Sequence, residues 1–235
     1  MSNTRQSEVR RETKETRIAL RLDLDQAREP KISTGVGFFD HMLEALAVHG
    51  RIGVELEAEG DLHIDQHHLV EDVGIVFGQA VREALGEDLR IQRFSAAYAP
   101  LDDALARAVV DISGRSYLYY GVEISRPMVG EFDTDLVLEF FQAFTANARL
   151  NLHLDLIRGH NAHHQLEAVF KAFALALGIE ESRQVRVELT VPRYHEGPNE
   201  RVLDVVGGDR VAGLESTLDG MRDAQRDEWI HEGCV

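Results

Sequence analysis

Two pairs of adjacent histidines, His67-His68 and His163-His164, are each followed at the same offset by a glutamate, Glu71 and Glu167. On an α-helix residues i and i+4 share a face, so His67 points with Glu71 and His163 with Glu167. An imidazole nitrogen and a carboxylate oxygen at that spacing can hold one divalent ion. The second histidine of each pair, His68 or His164, is turned about 100° around the axis and is free for a different ion. These donors are nitrogen and oxygen without thiolate. They suit Mn, Fe(II), Co, Ni or Zn, and affinity alone does not choose among those metals. A single pair is an ordinary helix start, but two pairs with matching glutamates argue for a metal centre.

The elements that must carry these residues are also written twice. An Asx residue of the N-cap type, Asp65 or Asn161, lies two residues before each pair. Each pair then opens a helical apolar period: Val70, Val73, Phe77, Val81 in one copy and Leu166, Val169, Phe170, Phe173, Leu177 in the other. Gly178 is expected to stop the second helix as a C′ residue. Upstream, a helix-like stretch at 38–48 precedes a strand-like 52–58, and 135–147 precedes 150–157. Superposing the copies places His41 on Glu139, which adds one donor to each set. Further strands are expected at 16–24, 106–112 and 116–124. The chain therefore reads as two half-domains, about 8–92 and 93–191, each strands followed by helix–strand–helix. A half of this size buries little by itself. Packed together, with helices between two sheets, the halves make one α+β domain over 1–191 with pseudo-twofold symmetry. The segment 192–235 is polar and charged, with a short helical pattern at 213–229.

Composition narrows the function. Apolar residues make up 44% of the chain, enough for a real core, and the formal charge is −16. That charge argues against a nucleic-acid partner and against an anionic membrane surface. No apolar run approaches the roughly 20 residues needed to span a bilayer. The first fifteen residues are polar and charged and carry no secretory signal. Cys234 is the single cysteine, so no intramolecular disulfide forms. The expectation is a cytoplasmic protein with a small-molecule partner.

Several motifs in order carry a resemblance to a known family. They are Arg11-Glu12-Thr13-Lys14-Glu15-Thr16, Gly37-Phe38-Phe39-Asp40-His41-Met42-Leu43, Gly60-Asp61, His67-His68 with Glu71-Asp72, Ser113-Gly114-Arg115, and Asn161-Ala162-His163-His164 with Glu167-Ala168 and Phe170-Lys171-Ala172. Across 8–180 the chain resembles imidazoleglycerol-phosphate dehydratase. The resemblance implies a fold like domain 2 of ribosomal protein S5, with helices packed between two mixed sheets. It implies two Mn²⁺ ions per active site, held by His41, His67, His68, Glu71, Glu139, His163, His164 and Glu167. It also implies trimers assembling to a 24-mer with sites shared between subunits.

The implied reaction is dehydration of imidazole glycerol phosphate to imidazole acetol phosphate in histidine biosynthesis. The substrate's ring binds the metals, its electron-rich form expels the neighbouring hydroxyl, and a carboxylate takes a carbon-bound proton. By resemblance Glu15 is that acid/base, and Glu71 and Glu167 serve catalysis with it. His41, His67 and His163 then face the substrate ring, while Arg93, Arg115 and Lys171 bind its phosphate. His153, in mid-strand, is expected to pack or to support a ligand rather than to be one. His49, His63 and His160 receive no role.

The family's Pro-Ser-Thr-Lys-Gly segment is replaced here by Pro192-Arg193-Tyr194-His195-Glu196-Gly197. Arg193 is expected to restore the positive charge. Two other readings stay open at this level: a paralogue acting on a related phosphorylated heterocycle, and a non-catalytic, metal-assembled shell protein. If Arg193 replaces the lysine, Arg193→Ala raises KM for the phosphorylated substrate through a lost charge-assisted contact, with metal content unchanged. Steady-state kinetics checks this, and an unaltered KM would return Arg193 to the surface.

Overall fold

A computed structural model of the chain describes residues 5–86 and 91–178 in full and the backbone alone of 193–196 and 201–204. The chain divides into two compact units, Met1–Arg183 and Gln184–Val235. In the second unit, strands β11 (Arg193–Glu196) and β12 (Arg201–Asp204) form an antiparallel ribbon with Arg193 opposite Asp204. The side chain of Arg193, the expected helix at 213–229 and Cys234 lie outside the described residues.

The first unit is built twice. Its first half runs β1 (Gln6–Glu12), β2 (Thr16–Asp23), β3 (Lys31–Ser33), α1 (Gly37–Gly50), β4 (Gly53–Gly60) and α2 (His67–Leu85). The second half runs β5 (Phe94–Leu101), β6 (Ala104–Asp111), β7 (Tyr117–Gly121), a small hairpin of β8 (Met128–Val129) and β9 (Phe132–Asp133), α3 (Leu136–Ala148), β10 (Asn151–Arg158) and α4 (Ala162–Leu177). The two four-stranded sheets have orders β1-β2-β4-β3 and β5-β6-β10-β7. In each the first three strands pair antiparallel and the last pairs parallel with its neighbour. The duplicated α+β architecture with mixed sheets is the one expected from the sequence.

Period-two burial explains why the central strands were visible. Ile18, Leu20 and Leu22 point inward from β2, and Ala104, Ala106, Ala108 and Val110 from β6. The sequence pattern does not reveal β1, β3 or β5. Val9 is the buried residue of β1 and Ala99 that of β5, so neither edge strand shows an apolar alternation. The left-handed residues that end α1 and α3 are Arg51 (φ 53°) and Arg149 (φ 55°), one in each half. Gly178 ends α4 as expected, at its C-cap. Its φ is −48°, and its N–H still bonds to the Ala174 carbonyl at 2.9 Å, continuing the last helical turn.

The helices pair crosswise between halves: α1 packs on α4, and α2 on α3. Phenylalanines fill the space between them. Phe39, Phe77, Phe140, Phe141, Phe144, Phe170 and Phe173 are all fully buried. Phe173 receives the edges of Phe141 and Phe144 at centroid distances of 5.1 Å, the edge-to-face geometry that aromatic quadrupoles favour. Against this bulk, α2 presents Gly74 and Gly78 to the backbone of α3. A Cβ on Gly74 would sit 2.6 Å from the Phe140 carbonyl oxygen, and one on Gly78 would collide with the Phe144 carbonyl oxygen.

Gly74→Ala therefore sets two effects against each other. In an exposed helix the change gains about 1 kcal/mol of propensity. Here the methyl meets backbone that cannot swing away, and overpacking of this kind costs about 1–3 kcal/mol. A net loss of stability is expected, seen as a lower urea midpoint. A raised midpoint would show that α2 and α3 are not held in close contact.

Candidate metal centre

The starts of α2 and α4 are fixed by the Asx residues. Asn161 caps α4, its Oδ1 accepting from the His163 N–H at 2.9 Å. At α2 the same bond runs from His67 N–H to Asp65 Oδ1 at 2.8 Å, although the helix begins one residue later, from Gln66. The two rings of each pair consequently stand in the same relation. His67 and His68 lie 6.2 Å apart at 89°, and His163 and His164 lie 6.2 Å apart at 84°.

Crosswise packing brings His41 of α1 to the first turn of α4. Donor atoms of His41, His163 and Glu167 lie within 4.8 Å of one another, the one such group among the described residues. Glu167 Oε2 receives both rings, His41 Nε2 at 3.3 Å and His163 Nε2 at 3.1 Å. Its other oxygen, Oε1, meets Lys171 Nζ at 2.5 Å. Burial alone would raise the Glu167 carboxyl. The Lys171 bond and charge, with the two histidine bonds, outweigh that and hold it below its ordinary value. The histidines remain open on one side, with 45% and 42% of their side chains exposed, whereas Glu167 is 13% exposed.

The other expected donors are arranged separately. His67 Nε2 and Glu71 stand 3.9 Å apart, a looser version of the same i,i+4 pair. His68 turns its Nδ1 to Asp61, at 3.1 Å, and that bond raises its pKa. His164 turns its Nδ1 to Asp103, at 2.7 Å. The His164 ring and the backbone N–H groups of His160 and Asn161 hold Asp103 well below the usual carboxylate range. Glu139 lies half-buried in the first turn of α3, outside the three-residue group.

Comparison with known proteins decides the family. The family profile described as imidazoleglycerol-phosphate dehydratase matches residues 34–177. A protein of that name from Azoarcus sp. is 52% identical over 188 residues, covering 80% of this chain and 96% of its own length. Another from Aminomonas aminovorus is 56% identical over 173 residues, covering 74% of this chain and 89% of its own. The crystal structure of the Staphylococcus aureus enzyme superposes with a TM-score of 0.68 at 44% identity, covering 74% of this chain and 96% of that one. The chain belongs to the imidazoleglycerol-phosphate dehydratase family. It is a hydro-lyase, as that name states. A Pyrococcus furiosus imidazoleglycerol-phosphate dehydratase, solved in complex with (S)-C348, gives a TM-score of 0.66 at 37% identity, covering 77% of this chain and 98% of that one.

In this dehydratase the remaining candidates occupy distinct surroundings. Arg93 bonds to Asp111 through Nε at 2.6 Å and lies 4.7 Å over the Phe94 ring. Arg115 is exposed beside Gly114, whose φ of +75° makes the turn. His153 stacks near Tyr117 and Tyr119 on the outer face of its sheet, away from the donors. His49 is a residue the sequence reading passed over. It sits two turns along α1 from His41, near Lys171 and Glu167. Burial, then the Lys171 charge, lowers its pKa. The helical period from His41 was the signal that could have found it.

Glu15 sits in the β1–β2 turn. Thr13 Oγ1 accepts from the Glu15 and Thr16 N–H groups at 3.1 and 2.9 Å. Thr16 Oγ1 donates to Asp72 at 2.5 Å, and Arg11 Nε donates to the same carboxylate at 3.0 Å. Asp72 follows Glu71 on α2, so the turn is fastened to the helix that carries His67 and His68. The Glu15 charge acts on His68. Asp72→Asn should cost about 1–3 kcal/mol, the usual loss when a mostly buried charged partner is removed. Urea denaturation checks this, and an unchanged midpoint would show that the contact does not hold the turn.

Proposed function

We propose that this chain converts imidazole glycerol phosphate to imidazole acetol phosphate in histidine biosynthesis, using two Mn²⁺ ions per active site. The observation that carries the reading is the convergence of His41, His163 and Glu167 donors in a chain of this family. Two imidazoles and one ionised carboxylate fit a divalent ion of the Mn²⁺ kind. The proposed ligands are His41, His67, His68, Glu71, Glu139, His163, His164 and Glu167. When bound, the cations stabilise negative charge that develops on the substrate's ring.

The protein's own groups do the rest. Lys171 keeps Glu167 ionised and in place. Glu15, exposed at a turn anchored to α2, moves the proton at the substrate carbon, with Glu71 and Glu167 as the other catalytic carboxylates. His41, His67 and His163 line the ring site. Arg93, Arg115 and Lys171 supply positive charge for the phosphate, a need made sharper by a formal charge of −16. Only part of the ligand set meets within one chain. This supports a homo-oligomer of trimers, built up to a 24-mer, in which copies complete each other's sites. A cytoplasmic setting is proposed. Among the described residues no helix is long and apolar enough to cross a membrane.

Turnover of imidazole glycerol phosphate tests the reading, and two kinds of variant separate binding from chemistry. Glu15→Gln should lower kcat by about 10²–10⁴-fold with metal content unchanged. Glu71→Gln and Glu167→Gln should each lose metal and activity together. Normal turnover in the Glu15 variant would remove it from the mechanism. Full metal content in either of the others would break the paired-site reading.

A further inference from the structure

We infer that Asp61 and Asp103 are positioning residues that fix the ring of the second histidine in each pair. This rests on the reading of His68 and His164 as metal ligands. The two histidines of a pair are held differently. The first turns its Nε2 to the glutamate four residues on, at 3.1 Å for His163 and 3.9 Å for His67. The second turns its Nδ1 to a carboxylate outside its own helix, Asp103 for His164 and Asp61 for His68. An anion on Nδ1 selects the Nδ1–H tautomer and leaves the Nε2 lone pair directed outward. The nearest carboxylate to His164 Nε2 is Asp102, at 3.8 Å, too far to bond.

Asp103 is itself anchored, and Asp61 is mostly covered. Asp103 Oδ2 accepts from the backbone N–H groups of His160 at 2.5 Å and Asn161 at 3.1 Å, which ties it to the start of α4. Asp61 lies immediately after β4, with its side chain 11% exposed.

The repeat gives Asp103 a second meaning. Thr16 opens β2 and Ala104 opens β6, so Glu15 and Asp103 occupy the same place at the tip of equivalent hairpins. Each tip sets a carboxylate near the second histidine of its own half. At the first tip Glu15 is exposed, and the His68 ring is bonded to Asp61 instead. At the second tip the side chain is one methylene shorter and bonded to His164. The same place in the repeat thus carries the proposed acid/base in one half and a bonded brace in the other.

The test is a chelator titration of the Mn²⁺-loaded full-length protein, with bound Mn²⁺ counted by electron paramagnetic resonance. Wild type is compared with Asp61→Asn, Asp103→Asn and His164→Asn, and circular dichroism melts confirm that each is folded. Asparagine keeps an acceptor for the backbone N–H groups but not the carboxylate on Nδ1. Each aspartate variant should release part of its Mn²⁺ at about 10–100-fold lower chelator activity, the usual loss on removing such a partner. His164→Asn should lose that site altogether. If His164→Asn loses Mn²⁺ while Asp103→Asn and Asp61→Asn retain it as wild type does, the positioning role is overturned and the ligand reading stands. If His164→Asn retains Mn²⁺ as wild type does, the ligand reading falls and the inference with it.

Discussion

The crosswise pairing of helices is the constraint on which everything else depends. Because α1 of one half packs on α4 of the other, and α2 on α3, the two halves share one continuous core. Large rings on α3 and α4 must interlock at 5.1–5.6 Å. Beside them α2 sets Phe77 against Phe144 and meets the backbone of α3 at Gly74 and Gly78, where it has no side chain. The same pairing places His41 and Glu167, residues distant in sequence, on facing turns. Fold stability and donor geometry are therefore one problem: a change that spreads the helices also spreads the donors.

Electrostatics follows from that packing. Glu167 is the most covered member of its group, and a lone carboxylate there would favour its neutral form. Lys171, one turn on along α4, reverses the preference. A separate network of Arg11, Thr16 and Asp72 connects the edge of the first sheet to α2. This pattern assigns different work to neighbouring acids. Asp72 is buried and structural, whereas Glu71 beside it is open and faces His67. Adjacent residues on a helix point about 100° apart, and here that angle separates the acid that anchors the turn from the acid that faces His67.

Much of this was legible in the sequence, for definite reasons. The duplicated His-His and glutamate spacing, with Asp65 and Asn161 before it, announced both helices and their alignment. Buried alternation in β2 and β6 announced the sheet centres. Edge strands were not legible, because β1 reads Gln-Ser-Glu-Val-Arg-Arg-Glu and shows one buried side chain. The partners of His68 and His164 were not legible either. Asp61 and Asp103 reach them from loops whose approach depends on the register of β4 with β2 and of β5 with β6, which no local pattern encodes. Gly178 ends its helix as the sequence indicated, yet without the left-handed turn usually associated with glycine there.

The bonding of Glu167 has a consequence for the side from which a cation meets it. Its two oxygens are divided: Oε1 belongs to Lys171, while Oε2 faces the imidazoles of His41 and His163. A cation held by Glu167 would meet Oε2 as the oxygen turned to the imidazoles, with Oε1 already turned to Lys171. The lysine thus gives the two oxygens of one carboxylate unequal surroundings, and a cation would approach it from the imidazole side.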